Sequence, residues 1–212
     1  MGRLRPGSTP SFAPALLLGL ATVLIGIAVT WLHLGATQDA SMLRAVALRQ
    51  GKSAHDLIEA MRWITWAGDA AQRSVVMMVC AAWLFWKKRP KAGLIMLVFP
   101  SLAGATSSLL KQVFARPRPD IVPHLDSFGN LSFPSGHATN AVAILLLAAL
   151  LLPKRHRPFW IALGLSIALL IAASRVLLGV HWPSDVVAGL LLGAGFALAG
   201  AALANYVGDR PR

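Results

Sequence analysis

The sequence predicts an all-α protein, a polytopic six-helix transmembrane bundle with one short interfacial amphipathic helix. Three observations predict this fold. Of the 212 residues, 56% are hydrophobic and only 13% are charged. Long apolar runs recur along the chain, and a helix of about 20 apolar residues suffices to cross a hydrocarbon core of about 30 Å. The breaks between the runs are short and carry charges, proline or glycine. This pattern is typical of an integral membrane protein and excludes a soluble domain of ordinary composition.

Six apolar runs predict the membrane spans. They cover about residues 14–34, 69–86, 92–114, 137–152, 159–180 and 184–206. The first run is too long, and too poorly followed by a cleavage site, for a removable signal peptide, so we expect it to remain as an anchor. No internal repeat or linker divides the chain. We therefore expect residues 1–212 to form a single integral membrane domain.

The segment of about residues 53–66 predicts the interfacial helix between the first two spans. Ser53 and Asp56 have the spacing of a capping box, and apolar side chains follow near helical period. Trp63 and Trp66 suit the boundary between lipid and water. We expect this helix to lie on the membrane surface.

The basic residues predict the orientation. They cluster in "KKRPK" (87–91) and "PKRHRP" (153–158), with more near both ends of the chain: Arg3, Arg5, Arg210 and Arg212. Six alternating spans put all of them on one side, which the positive-inside rule assigns to the cytoplasm. The net charge of +12 also fits nucleic-acid binding, but these cations flank membrane spans and do not cover one face. We expect the lipid bilayer as partner and no nucleic acid.

The same alternation brings three polar segments to the opposite, outer face. The first, "KQVFARPRPD", holds Lys111, Arg116 and Arg118 on the side where basic residues are normally disfavoured. An anion bound at this face would account for them. In the alternative interpretation, Lys111 extends to the membrane surface and the arginines contact lipid phosphates.

The second segment, "FPSGHATNA", opens the fourth span. Ser135 is placed to cap the helix, and Gly136 leaves the backbone uncrowded. A helix N-terminus offers unpaired N–H groups and a positive dipole end, which suit a phosphate. His137 then lies in the first turn beside the anion. The alternative is an ordinary helix cap with a histidine at the membrane interface.

The third segment, "SRVLLGVHWPSD", joins the last two spans. Asp185 lies in the first turn of the last helix, from which it can face His181. A carboxylate bonded to one imidazole nitrogen makes the other a better nucleophile or base. Arg175 ends the preceding helix. Ionisable groups in a membrane are costly and point to function, although a buried Arg–Asp ion pair joining two helices is the alternative.

Two histidines, one carboxylate, several cations and a helix N-terminus at one depth are typical of a site for a phosphate ester. One histidine would attack phosphorus and the other would protonate the leaving oxygen. The cations would stabilise the charge on the equatorial oxygens.

The three segments resemble the type 2 phosphatidic acid phosphatase family, whose signatures K-x6-R-P, P-S-G-H and S-R-x5-H-x3-D occur here in order at 111–119, 134–137 and 174–185. The resemblance implies that His181 is the nucleophile, that Asp185 orients it and that His137 is the general acid. It assigns the phosphoryl oxygens to Lys111, Arg118, Ser135, Gly136 and Arg175. It also implies that the reaction needs no metal or other cofactor. Arg116 lies outside the strict signature.

The family also contains soluble acid phosphatases and vanadium haloperoxidases, and six spans argue against both. The resemblance implies a phosphoric monoester or diphosphate hydrolase of the bacterial inner membrane with its site at the outer face. Its substrate would be phosphatidate, phosphatidylglycerol phosphate or a polyprenyl pyrophosphate. A transporter or channel would instead carry polar residues through the membrane on several helices. A non-catalytic lipid-binding protein would lack His137 or His181.

The remaining notable residues have simpler expectations. Cys80 is the single cysteine, so we expect it only to pack. His124 and Asp126 precede "FPSGH" and are candidates for contact with a substrate headgroup. Trp182 is expected to anchor the chain at the membrane interface or to line the pocket.

Overall fold

The chain folds entirely as helices and loops within the part that the computed structural model describes, residues 11–51, 54–126 and 129–208. In these ranges there are eight α-helices and no strand. They are α1 Ala13–Gly26, α2 Ala36–Val46, α3 His55–Trp66, α4 Ala70–Trp86, α5 Pro90–Phe114, α6 Gly136–Leu150, α7 Arg157–Leu177 and α8 Pro183–Tyr206. A π-helical turn, Ile27–Trp31, continues α1. The all-α prediction is confirmed.

In the described part of the chain, four helical segments are long and apolar enough to cross a membrane: Ala13–Trp31, α5, α7 and α8. The two other apolar helices, α4 and α6, have 17 and 15 residues. At 1.5 Å per residue α6 is only about 22 Å long. Ten of its residues are buried, because α4, α5, α7 and α8 surround it.

The six predicted apolar runs coincide with α1 and its π-helical turn, α4, α5, α6, α7 and α8. Each predicted end lies within three residues of the observed one. Apolar length and charged or Pro/Gly breaks are strong local signals, which explains this agreement.

The segment between α1 and α4 contains two helices, where the sequence predicted one. We missed α2 because its sequence, "ATQDASMLRAV", has no continuous apolar stripe; only Asp39 and Leu43 are buried in it. The predicted helix of residues 53–66 is α3, which begins at His55 with Ala54 in the N-cap position. Ser53, and with it the predicted capping box, lies outside the described residues.

Small residues let α8 approach α6 closely. A Cβ atom at Gly193 would lie 2.2 Å from the carbonyl oxygen of Thr139, and one at Gly189 would lie 2.5 Å from that of Ser135. Such glycines permit backbone contact between membrane helices. The close approach brings the start of α6 to the start of α8, where the Ser135 N–H donates to the carbonyl of Asp185 at 2.9 Å.

The bundle has two chemically different ends. At one end the guanidinium of Arg89 donates to the carbonyl of Leu151 at 2.6 Å, and Lys91 donates to that of Val207 at 3.2 Å. At the other end α2, α3, the loop of residues 115–135 and the turn between α7 and α8 meet. There the Leu48 N–H donates to Leu177 at 2.8 Å, and the Leu125 N–H to Leu178 at 2.9 Å. The three polar segments lie at this second end.

Candidate active site

His181 and Asp185 form a buried pair at the turn between α7 and α8. Gly179 makes the turn possible because its φ of +75° lies in the left-handed region. Asp185 lies in the first turn of α8, and its Oδ2 accepts the Trp182 N–H at 3.0 Å and lies 3.3 Å from Nδ1 of His181. The two side chains are 2% and 0% exposed. Nε2 of His181 has no hydrogen-bond partner among the described residues.

The surroundings of His181 favour the neutral imidazole. Burial lowers the pKa of His181 well below its usual range, and the cations of Arg118, Lys111 and Arg175 lower it further. Burial disfavours the charged form, and nearby positive charges act in the same direction. A neutral imidazole retains the lone pair that a nucleophile needs.

Arg116 fixes the other oxygen of Asp185. Its Nη1 donates to Oδ1 of Asp185 at 2.6 Å and to the Ser184 hydroxyl at 2.7 Å, and its Nη2 donates to Oδ2 of Asp39 at 2.8 Å. Asp39 also accepts the Ser184 N–H at 2.9 Å. Arg116 therefore ties α2 to the start of α8. The ion pair of Asp185 is with this arginine and not with Arg175, which corrects the alternative considered from the sequence.

Arg175 is buried at the end of α7, 2% exposed. Its Nη1 donates to the Thr65 hydroxyl at 2.6 Å and to the carboxylate of Asp126. Its Nε is buried and has no partner within residues 11–51, 54–126 and 129–208. One side of the guanidinium is thus held by α3 and the loop, while the other side keeps an unpaired donor.

Ser135 occupies the N-cap position of α6, but its side chain makes no capping bond. The position is the predicted one, and its extended backbone is normal for an N-cap residue, but the hydroxyl is buried and has no partner among the described residues. Space lies beside Gly136, where the nearest atom to an added Cβ would be the Ser107 hydroxyl at 3.9 Å. That hydroxyl is also buried and unpaired. The start of α6 therefore combines open N–H groups with unpaired hydroxyls.

His137 lies in the first turn of α6 and is oriented by Asp69. Its Nε2 is 2.9 Å from Oδ1 of Asp69. Asp69 is the N-cap residue of α4, and its side chain is about half exposed. The bond holds the imidazole and leaves Nδ1 for another partner.

Lys111 and Arg118 hold the loop that leads to α6. The Lys111 ammonium donates to the carbonyls of Leu131, Ser132 and Pro134 at 3.3, 3.0 and 2.8 Å. Arg118 donates to the carbonyls of Gly129 and Val180. Burial, with the neighbouring Arg175, lowers the pKa of Arg118 to about 10. The cations repel one another, so an anion among them would relieve the repulsion.

The three signature segments therefore meet around His181, close enough for the charges of Arg118, Lys111 and Arg175 to lower its pKa. Four supporting residues were not predicted from the sequence: Asp39, Thr65, Asp69 and Ser107. They belong to no motif, and only their acidic or hydroxyl character in apolar surroundings marks them. Of the minor candidates, Asp126 bonds Arg175, and His124 bonds the carbonyl of Pro119. Trp182 donates to the carbonyl of Pro117 at 3.1 Å and packs on Arg116.

Comparison with known proteins identifies the family. The family model "PAP2 superfamily" matches residues 92–209. Phosphatidylglycerophosphatase B of Bacillus subtilis is 35% identical over 175 residues, which cover 76% of this chain and 82% of that protein. An undecaprenyl-diphosphatase of Sulfolobus acidocaldarius is 37% identical over 128 residues, 55% of this chain and 57% of that one.

The fold also matches a solved structure. The crystal structure of a transmembrane PAP2-type phosphatidylglycerolphosphate phosphatase from Bacillus subtilis aligns with a TM-score of 0.80 and 28% identity. The alignment covers 92% of this chain and 97% of that one. Apolar helices and this match together identify an integral membrane protein. The chain belongs to the PAP2 superfamily.

Proposed function

We propose that this protein is a membrane lipid phosphatase that hydrolyses the terminal phosphate of a lipid phosphate or diphosphate without a metal. One observation carries the proposal: Arg175 Nε and the Ser135 hydroxyl are buried near a neutral His181 and have no partner in the described part of the chain. Buried polar groups normally find partners, and a phosphoryl group would supply them. Membership of the family supports the same reaction.

In the proposed first step, Nε2 of His181 attacks phosphorus, an N–P bond forms and the P–O bond to the lipid breaks. His137 donates a proton to the leaving lipid oxygen. Asp185 stabilises the positive charge that develops on His181. Arg175, Ser135 and the N-terminus of α6, with Gly136, bind the phosphoryl oxygens. Lys111 and Arg118 contribute positive charge and hold the loop.

In the second step, His137 takes a proton from water, and the water oxygen attacks phosphorus. The N–P bond breaks, inorganic phosphate leaves and His181 returns to its neutral form. The neutral state of His181 supports both steps, because the same nitrogen must attack and then leave.

The proposed membrane arrangement has six crossings, made by α1 with its π-helical turn and by α4, α5, α6, α7 and α8, in one domain of residues 1–212. The basic loops of residues 87–91 and 153–158 and both termini face the cytoplasm of a bacterial inner membrane. The active site faces outward. The contact between Arg89 and Leu151 supports this arrangement, because it joins the ends of α4 and α6 where the basic loops begin.

The substrate candidates are phosphatidate, phosphatidylglycerol phosphate and undecaprenyl pyrophosphate. The relatives above are named for the second and third. The test measures phosphate release from each lipid by the protein in detergent with excess chelator. We expect release by the wild type and none by His181→Ala. The control is His156→Ala, an exposed histidine at the other end, which should keep full activity. Strict dependence on magnesium contradicts the proposal.

A second measurement assigns the two histidines. Rapid quenching after addition of radiolabelled substrate should trap acid-labile, base-stable phosphate on the wild type. His181→Ala should trap none. His137→Ala should change the amount trapped, because it lacks the acid of the first step and the base of the second. Trapped phosphate on His181→Ala rules out the assigned nucleophile.

A further inference from the structure

A polar cleft lies between α4, α5 and α6, outside the catalytic pocket. Its volume is about 210 Å³, and its polar lining comprises Arg73, Ser74, Ser101, Ser108 and Asn140. The serines and Asn140 donate to carbonyls one turn away in their own helices. Polar and charged side chains between membrane helices are costly, and they point to a function for the cleft.

The cleft lies directly on the membrane side of the active site. Arg73 follows Asp69 by one helical turn, with its N–H bonded to the Asp69 carbonyl at 3.0 Å. Asn140 follows His137 by three residues, and Ser108 precedes Lys111 by three. The chain runs away from the active-site end in α4 and α6, and toward it in α5. Arg73, Asn140 and Ser108 therefore each lie about 5 Å further into the membrane than the site residue nearest to them on the same helix.

Arg73 is the only cation in the lining of this cleft. Among the described residues, no atom forms a hydrogen bond or an ion pair with its guanidinium. Its charge acts on Asp69 and on His137, but Asp69 is already bonded to His137 at 2.9 Å. A half-buried cation that no described side chain bonds directly, one turn below the proposed acid, fits an anionic part of the substrate.

We propose that Arg73 binds a second phosphate of the substrate, the one between the scissile P–O bond and the lipid tail. This inference rests on the proposed function. With the terminal phosphate at His181 and the tail in the bilayer, any second phosphate lies on the tail side of the terminal one, which is the side on which Arg73 lies. A polyprenyl diphosphate and a phosphatidylglycerol phosphate both have such a phosphate. Phosphatidate has a single phosphate, which binds at His181, so it has no second phosphate for Arg73.

The test compares kcat/KM for the three lipids in Arg73→Gln. A charged hydrogen bond contributes enough to predict a loss of about tenfold to a hundredfold for the two lipids with a second phosphate. Phosphatidate should change by less than about threefold, and Arg73→Lys should restore part of the loss. A loss confined to the diphosphate or to phosphatidylglycerol phosphate also supports the proposal and identifies the lipid that uses Arg73.

The matched control is Arg44→Gln, which removes an exposed arginine of α2 and should leave the ratios between lipids unchanged. Equal losses for all three lipids in a folded Arg73→Gln protein overturn the proposal, as does no loss at all. Size-exclusion and thermal-unfolding profiles establish folding. Failure of the wild type to hydrolyse any lipid would instead overturn the proposed function.

A measurement on the wild type covers the case in which Arg73→Gln does not fold. Inhibition by a prenyl methylenediphosphonate is compared with inhibition by the matching prenyl monophosphonate. We expect the diphosphonate to bind at least about tenfold more tightly. Equal inhibition by the two compounds overturns the proposal.

Discussion

Oδ2 of Asp185 lies 3.3 Å from Nδ1 of His181, while Arg116 holds Oδ1 of the same carboxylate at 2.6 Å. Asp185 is thus fixed at both oxygens and cannot turn away from the imidazole. The arrangement presents Nε2 of His181 to the pocket, and it depends on α2, which supplies Asp39 as the second partner of Arg116.

Asp185→Asn should lower kcat by about 10³-fold to 10⁴-fold, with a small effect on KM. An amide cannot accept from both Arg116 and His181, so the imidazole loses its orientation and the stabilisation of its charge. Steady-state kinetics on the best lipid measure this. Asp56→Asn, at an exposed position of α3, is the control. An unchanged kcat in Asp185→Asn contradicts the assigned role.

Asp69→Asn should impair protonation of the leaving group, because Asp69 holds Nε2 of His137. We expect kcat for a lipid phosphate monoester to fall by about tenfold to a hundredfold. A p-nitrophenyl ester, whose leaving group needs little protonation, should lose much less. Equal losses for both substrates would mean that Asp69 has only a structural role.

In a plot of kcat/KM against pH, the acidic limb, where activity falls as His181 takes up a proton, should lie below pH 6.5. The pKa of His181 is lowered by burial and then by Arg118, Lys111, Arg175 and His137, so the nucleophile stays neutral until the pH falls through that lowered value. Arg118→Gln removes one of these cations, the pKa rises toward 6.5, and the limb should move to higher pH. The rate is measured from pH 4 to 9, with Arg44→Gln, at an exposed position of α2, as control. A limb that stays in place or moves to lower pH refutes the prediction.

The lowered pKa of His181 also predicts how the stability of the folded protein depends on pH. An unfolded histidine binds a proton near pH 6.5, whereas folded His181 binds one only at lower pH. The free energy of unfolding should therefore fall as the pH drops below 6.5. His181→Asn should reduce this dependence in thermal unfolding.

Arg116→Met should lower the free energy of unfolding by about 3–5 kcal/mol, because it leaves the buried carboxylates of Asp39 and Asp185 without their partner. Glu59→Gln breaks an exposed ion pair with Arg62 and should cost less than about 1 kcal/mol. Thermal unfolding in detergent compares the two. Similar midpoints for both variants would show that the buried cluster adds no stability.

Much of the fold followed from local sequence. Apolar length and charged breaks located α4 to α8 within three residues, since a membrane span is specified by its own composition. Helix α2 was not predicted from the sequence. Its burial comes from the contacts of Asp39 and Leu43, which belong to no local periodicity.

For the site, the sequence alone determined the chemical inventory: two histidines, one carboxylate and the cations, in signatures with fixed spacing. That spacing places Asp185 one helical turn after His181, so their contact is nearly local. Only the tertiary structure decided the partners. Arg116 and not Arg175 meets Asp185, Lys111 turns to three carbonyls, the Ser135 hydroxyl stays unpaired, and Arg73 faces a cleft. These partners come from helices that are distant in the chain. The packing of those helices decides which buried polar groups can form hydrogen bonds with one another.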